Sequence, residues 1–250
     1  MASILYIFPH PDDESFGPAP LLARQRRAGH DVHLLTLTRG EATSQRERLG
    51  VSKAEMADIR HAEMQDVAEV LDLTSMEVLS YPDGQLDELN PLELEQTVAA
   101  HLHRTEPDIV VTYPVHGVSG HPDHLVTHAV VKHVAAQFRA DGVAYPRRLA
   151  FFTLGPPSEN ADRPDHLTHS PPALIDAVIP VEADDLERGR KALFSYETYR
   201  PVIERHRPLD DVTDGIHLEL WGEAYDPPLT DLLDRLPEPS AQTPSLPEQS

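Results

Sequence analysis

Apolar residues in this chain fall into short runs separated by longer stretches of helical spacing. Ile4 to Phe8 is an apolar run closed by Pro9, and Val32 to Leu37 is another that stops before Thr38-Arg39-Gly40. Both read as buried strands. Between them Leu21, Leu22 and Ala23 lead into the basic stretch Arg24 to Arg27 and then Gly29, the pattern of a helix with a charged last turn and a glycine stop. The unit recurs. Ser52 to Leu71 carries Ile59, Met64, Val67, Ala68 and Leu71 at roughly helical spacing and precedes a short strand, Met76 to Leu79. Pro91 to His103 predicts a helix with proline at a tolerated first-turn position, Asp108 to Thr112 a strand, and Leu125 to Phe138 a helix. Such alternation places the chain in the α/β class, with a mostly parallel sheet covered by helices.

Beyond Arg148 the pattern weakens. Leu149 to Leu154 and Ala177 to Val181 read as strands, Asp184 to Phe194 as a helix, and Pro156 to Pro172 as a proline-rich loop. The last apolar pattern is Leu229 to Leu236. Pro237 to Ser250 contains four prolines and little to bury, and reads as a disordered tail. Residues 1–236 are therefore expected to form a single domain, with no internal repeat.

Composition narrows the partners. The 250 residues include 21 basic and 42 acidic side chains, a formal charge of -21, and no basic block reverses that field. Nucleic acid and anionic membranes are excluded as expected partners. There is no cysteine, so disulfides and thiolate sites are ruled out, and any metal must be held by His, Asp, Glu or water. Met1 to Phe8 lacks the basic flank and length of a signal peptide, and no apolar run approaches the roughly 20 residues needed to span a bilayer. A cytoplasmic location is the expectation.

Two segments carry candidate chemistry, each just beyond a predicted strand, where ligands sit in such sheets. The first is His10-Pro11-Asp12-Asp13-Glu14. Its three acids are expected in a first helical turn, where the dipole favours negative charge, and Asp13 could serve simply as an N-cap. That leaves His10 unexplained, and imidazole with carboxylate is an ordinary ligand set for Zn²⁺. The second segment is His116-Gly117-Val118-Ser119-Gly120-His121-Pro122-Asp123-His124. His124 falls in the first turn of the following helix, where the dipole disfavours a ring proton and favours a neutral, metal-binding imidazole. Exposed surface histidines are the bland alternative, since the chain has 15.

Together these segments resemble the paired signature of the PIG-L-like, or LmbE-like, metal-dependent N-deacetylases, over roughly residues 3 to 200. The resemblance implies a Rossmann-like three-layer α/β/α fold. It implies that His10, Asp13 and His124 hold Zn²⁺ or another divalent ion, that Asp12 is the general base, and that His121 stabilises the oxyanion or protonates the leaving amine. Arg60-His61-Ala62-Glu63 is similar to the family's Arg-x-x-Glu helix, making Arg60 a candidate for sugar hydroxyls; Asp83, in Tyr81-Pro82-Asp83-Gly84, is a second. Arg39 is expected at the border of the same pocket. Two departures stand out. Ser119 occupies a position where some relatives carry an oxyanion-assisting tyrosine, leaving Tyr113 or His116 to fill the space. The family's histidine-serine-glutamine segment has no counterpart near Phe194-Ser195-Tyr196-Glu197.

The implied activity is removal of the acetyl group from an N-acetylglucosamine-type sugar or glycoconjugate, releasing acetate and a free amine. Homo-oligomers are known in the family. Two other classes stay open at this level: a non-catalytic, metal-dependent sugar-binding module, and a hydrolase of a different bond. A spare carboxylate beside the ligands, Asp12, speaks against the first. A single-ion ligand set without a phosphate-cradling glycine loop speaks against phosphoester cleavage.

Overall fold

The computed structural model describes residues 1–157, 163–210, 212 and 214–239. The elements are β1 (Ser3–Phe8), α1 (Ala19–Arg27), β2 (Asp31–Thr38), α2 (Gln45–Leu49), α3 (Lys53–Leu71), β3 (Ser75–Tyr81), α4 (Pro91–Thr105), β4 (Ile109–Thr112), α5 (Pro122–Ala140), β5 (Arg148–Thr153), β6 (Ala177–Ile179), α6 (Ala183–Phe194), α7 (Arg200–His206) and β7 (Ile216–Leu220). They build a seven-stranded sheet in the order β3-β2-β1-β4-β5-β7-β6. The first five strands run parallel, and β7 pairs antiparallel with both β5 and β6. The three-layer, mostly parallel α/β/α arrangement expected from the alternation is the fold that forms.

Each central strand is apolar on both faces because both are covered. Along β1, Ile4, Tyr6 and Phe8 enter one core with residues of α1, α3 and α6, while Leu5 and Ile7 enter a second core with residues of α4 and α5. This period-2 division is what a continuous apolar run means when helices lie above and below the sheet. Helix α3 starts at a capping box in which Ser52 and Glu55 satisfy each other's backbone amides.

Several details depart from the sequence reading. The acids after His10 lie in a turn, and α1 begins only at Ala19. Asp12 has φ +83°, outside helical space, and its carbonyl accepts the Ser15 and Phe16 amides at 2.7 and 2.9 Å. Asp13 therefore caps the turn, accepting the His10 amide at 2.9 Å, and no helix end. Helices α2 and α7 and strand β7 were not anticipated. Leu229 and Leu232 pack into the first core, held near β5 by the buried Arg148, which pairs with both oxygens of Glu223. Of the expected tail, 240–250 lie outside the described residues, and the Pro237 carbonyl accepts a bond from Arg147 at 2.8 Å. No helix among the described residues is long and apolar enough to cross a membrane.

The strand order fixes where a ligand can sit. Chain order runs outward from β1 to β2 and β3 on one side, then restarts at β4 on the other side of β1. Adjacent strands whose following loops diverge leave a crevice at their carboxyl ends. The loops after β1 and β4 carry the two histidine-proline segments.

Candidate active site

The crevice opens into a cleft of about 760 Å³, with His10, Asp12, Asp13, His121 and His124 in its wall. His10 follows β1, while His121 is the N-cap of α5 and His124 lies in that helix's first turn. The ring atoms meet: His10 Nδ1 is 3.2 Å from His124 Nε2. Asp13 Oδ2 is 3.5 Å from His10 Nδ1, and its other oxygen, Oδ1, is 3.4 Å from His124 Nε2.

These spacings pass the test for a bound cation. Ligands held tetrahedrally at 2.0 to 2.1 Å from one ion stand roughly 3.3 to 3.4 Å apart. The outer nitrogens are committed elsewhere, so the inner ones face each other. His124 Nδ1 donates to the Gly117 carbonyl at 2.8 Å, and His10 Nε2 lies 3.0 Å from Asp123 and 3.2 Å from Asp83. Such outer partners fix ring orientation and tautomer in metal sites. Burial works against a charged His10, yet bonds to Asp123, Asp13 and Asp83 lift its pKa well above the ordinary histidine value. Burial lowers that of His124.

Asp13 is further held by Tyr113, whose hydroxyl donates to Oδ1 at 2.7 Å and whose ring stacks on His124 at 4.3 Å. Burial alone would raise the Asp13 carboxyl; His124, His10 and the Tyr113 bond outweigh it and hold the pKa low. His121 also brings a ring nitrogen within 4.8 Å of ring nitrogens of His10 and His124. Its Nδ1 accepts the Asp123 amide at 3.2 Å, so a neutral ring carries its proton on Nε2, available as a donor. Asp13 turns a different oxygen to each ring, Oδ2 to His10 and Oδ1 to His124, so Asp13 and His121 both stand where a third ligand could act.

Asp12 stands beside the trio. Its Oδ2 accepts a bond from Arg60 at 2.5 Å, and its side chain retains 15% exposure. Burial raises its pKa, Arg60 opposes that, and the charge of Asp13 adds to it. Arg60 itself is 2% exposed. It also donates to the Pro11 carbonyl at 2.6 Å and lies 4.6 Å from the Tyr199 ring centre. Expected to reach for sugar hydroxyls, it lines the cleft and is bonded to the Asp12 turn. Gly40 makes room for it: a Cβ there would stand 2.3 Å from Arg60 Nη1. The chain turns at this glycine, φ +65°, and Arg39 swings outward to Asp58 at 3.5 Å. Ala42 and Thr43 line the cleft instead. The expectation for Arg39 is thereby corrected. Asp83 does line the cleft, but its Oδ2 accepts the Ala42 amide at 2.6 Å and its Oδ1 faces His10.

Three residues have places that the sequence reading did not assign them. Asp123, fully buried, accepts the Gly84 and Leu86 amides at 2.8 and 3.0 Å besides facing His10. It sits inside the second motif, and the signal missed was its presence next to His124 on a helix start. Tyr113 was considered for an oxyanion role but supports Asp13. Glu14 is fully buried, accepts bonds from Ser15 and Tyr196 at 2.5 and 2.8 Å, and leaves Oε2 without a partner.

Burial pushes Glu14 up to about 7, against the two hydroxyl bonds. A carboxyl whose folded pKa exceeds its unfolded one stabilises the protein when protonated, and that contribution fades as pH rises from the unfolded pKa to the folded one. Glu14→Gln keeps the neutral state at every pH. With chelator present, its stability relative to the parent should therefore improve by roughly 2 to 3 kcal/mol between pH 5 and pH 8, at 1.36 kcal/mol per pKa unit. Urea unfolding of both proteins at the two pH values measures this; a constant difference would refute it.

The family model described as GlcNAc-PI de-N-acetylase, PIG-L, matches residues 5–135, which contain both histidine-proline segments and the Arg60 helix. The chain belongs to the PIG-L family. Among relatives of this PIG-L chain is a 1D-myo-inositol 2-acetamido-2-deoxy-alpha-D-glucopyranoside deacetylase of Kineococcus radiotolerans, 30% identical over 166 residues, 56% of this chain and 46% of that one. Another is a probable N-acetyl-alpha-D-glucosaminyl L-malate deacetylase of Bacillus subtilis, 30% identical over 123 residues, 48% and 55% of the two chains. The aligned segments span about half the length of these curated relatives. Among solved structures, the N,N'-diacetylchitobiose deacetylase of Pyrococcus horikoshii superposes with TM-score 0.65 at 19% identity, covering 87% of this chain and 82% of that one. A deacetylase of the teicoplanin pathway gives 0.68 at 15%, covering 87% and 97%. At those identities the structures speak for the fold.

Proposed function

We propose that this PIG-L protein is a metal-dependent amide hydrolase that removes the acetyl group from an N-acetylglucosamine-type sugar or glycoconjugate. The observation that carries the reading is one spatial cluster: three donors spaced for one ion, with a carboxylate and an imidazole outside that trio, all facing the same cleft. His10, Asp13 and His124 would hold the ion. Two imidazoles and a carboxylate suit Zn²⁺, the ion we propose, and also admit other divalent metals. When bound, the cation polarises the amide carbonyl and acidifies a water molecule.

The remaining work falls to this chain's own side chains. Asp12, held by Arg60 at Oδ2, takes the proton that the water gives up as its oxygen adds to the acyl carbon. His121 presents Nε2–H to the charge that develops on the carbonyl oxygen. The C–N bond then breaks, the departing nitrogen receives the proton that Asp12 took from the water, and acetate and a primary amine result. A pKa raised toward working pH suits Asp12 to accept a proton and release it again.

Purified protein incubated with N-acetylglucosamine conjugates should release primary amine, lose that activity with a chelator, and regain it with added Zn²⁺. Metal-dependent sugar binding without amine release would favour the binding-module reading.

A further inference from the structure

Val118 is bent into a backbone conformation that its side chain resists. Its φ is +60°, and that of Gly117 before it is +63°. Glycine adopts such angles freely, whereas a β-branched residue there is a true outlier. The Ser119 amide donates to the Gly117 carbonyl at 2.6 Å, closing a three-residue turn of the rare, strained hand around Val118. Strain of this kind persists only where the surroundings over-determine it. Around Val118 they do. Its amide donates to His116 Nδ1 at 3.1 Å, and its carbonyl accepts the Thr168 amide at 2.7 Å.

His116 is itself braced from behind. Burial lowers its pKa, and with Nδ1 accepting an amide proton the neutral ring carries its own proton on Nε2. That nitrogen lies 2.9 Å from Ser170 Oγ. Ser170 is 3% exposed; its amide donates to Thr153 Oγ1 at 2.9 Å and its hydroxyl to Glu219 Oε1. Thr153 ends β5 and Glu219 lies in β7, its neighbour in the sheet, so the arm is rooted in rigid structure. His116 does not line the cleft. Both of its ring nitrogens are spent on this arm and the turn.

The turn holds a metal-site residue. The Gly117 carbonyl accepts His124 Nδ1–H at 2.8 Å, and Ser119 Oγ stands further from that nitrogen, at 3.3 Å. The Gly117 carbonyl and the Val118 amide belong to one peptide unit, which is planar and trans. Fixing the direction of the N–H therefore fixes that of the C=O. We propose, resting on the metal-site reading above, that His116 is a positioning residue: braced by Ser170 and Glu219, it locks the Gly117–Val118 peptide so that its carbonyl sets the tautomer and direction of His124.

His116→Phe and His116→Asn test this in opposite senses. Phenylalanine keeps a ring to pack but accepts no hydrogen bond. Asparagine loses the ring, yet its side-chain oxygen can accept the amide two residues on, a bond it forms without bracing. In the metal-free full chain, the His124 Nδ1–H proton should give a slowly exchanging NMR resonance in the parent and in His116→Asn, and lose it in His116→Phe. Zinc affinity, read by competition with a chelator, should fall about 10-fold to 100-fold in His116→Phe, the range for a partner behind a ligand, and stay within about threefold in His116→Asn. Ser170→Ala should weaken zinc binding in the parent and add nothing to His116→Phe, because the arm acts only through the ring.

A His116 that merely packs gives the reverse order, with Phe tolerated and Asn impaired, and that order overturns the proposal. Unchanged zinc affinity and ring proton in His116→Phe do so as well, and an additive loss with Ser170→Ala removes the brace. A parent chain that binds no zinc sinks the metal reading beneath, while the ring proton still decides the role of His116. Zinc binding in the expected order without amine release from N-acetylglucosamine conjugates sinks the hydrolase reading alone.

Discussion

Asp12→Asn is expected to slow amine release about 10²-fold to 10⁴-fold, the usual contribution of a positioned general base. The amide has nearly the shape of the carboxylate but cannot accept the water proton. A second effect comes with it. Arg60 is 2% exposed and donates to Asp12 at 2.5 Å, and removing one partner of a buried pair typically costs about 3 to 5 kcal/mol. The variant should therefore also unfold at lower denaturant. Folding and catalysis are separable by adding Arg60→Met to Asp12→Asn, which takes away the buried charge that the single substitution leaves unpaired. If Asp12 is only a counter-ion for Arg60, Asp12→Asn will lose stability while keeping its rate, and Asp12→Asn combined with Arg60→Met will recover the stability. Retained rate in the single variant would sink the base assignment.

Asp13→Ala should lose the bound ion, with activity falling further than the 10-fold to 100-fold typical when a partner behind a ligand is removed. His121→Ala should keep the ion and lose about 10²-fold to 10³-fold in rate, the usual effect of deleting one oxyanion donor. The contrast rests on geometry: Asp13 sits 3.4 and 3.5 Å from the inner nitrogens, whereas His121 spends Nδ1 on the Asp123 amide. Metal analysis after dialysis against limiting chelator reads both variants. Loss of zinc from His121→Ala, with Asp13→Ala still loaded, would exchange the two roles and support the three-imidazole set that His10, His121 and His124 also form.

Much of this was legible in order along the chain, and the exceptions share a cause. Strands β1, β4 and β5 were readable because they are buried on both faces and largely apolar, as in Ile4 to Phe8. Strand β7 was not read, although Ile216, Leu218 and Leu220 alternate with His217 and Glu219, a period-2 signal. Its place between β5 and β6, antiparallel, depends on pairing across distant segments. The turn after His10 was misread as a helix start because acids beside a proline favour both. The left-handed φ of Asp12 is decided by Arg60 and Pro11, which pack around it.

Residue chemistry by itself determined that a cysteine-free, acidic α/β chain presents two histidine-carboxylate segments, each after a strand, and that these suit a divalent ion. Local spacing suffices for that, because donor type and strand periodicity are properties of short segments. Only the tertiary structure decided which donors meet. It drew Asp123 and Asp83 behind His10, spent Arg60 on Asp12 and turned Arg39 out to Asp58. It also joined apolar and arginine side chains from separate loops into one cleft. Those outcomes depend on how strands far apart in sequence lie side by side and on where buried charge finds a partner, and no single segment encodes either.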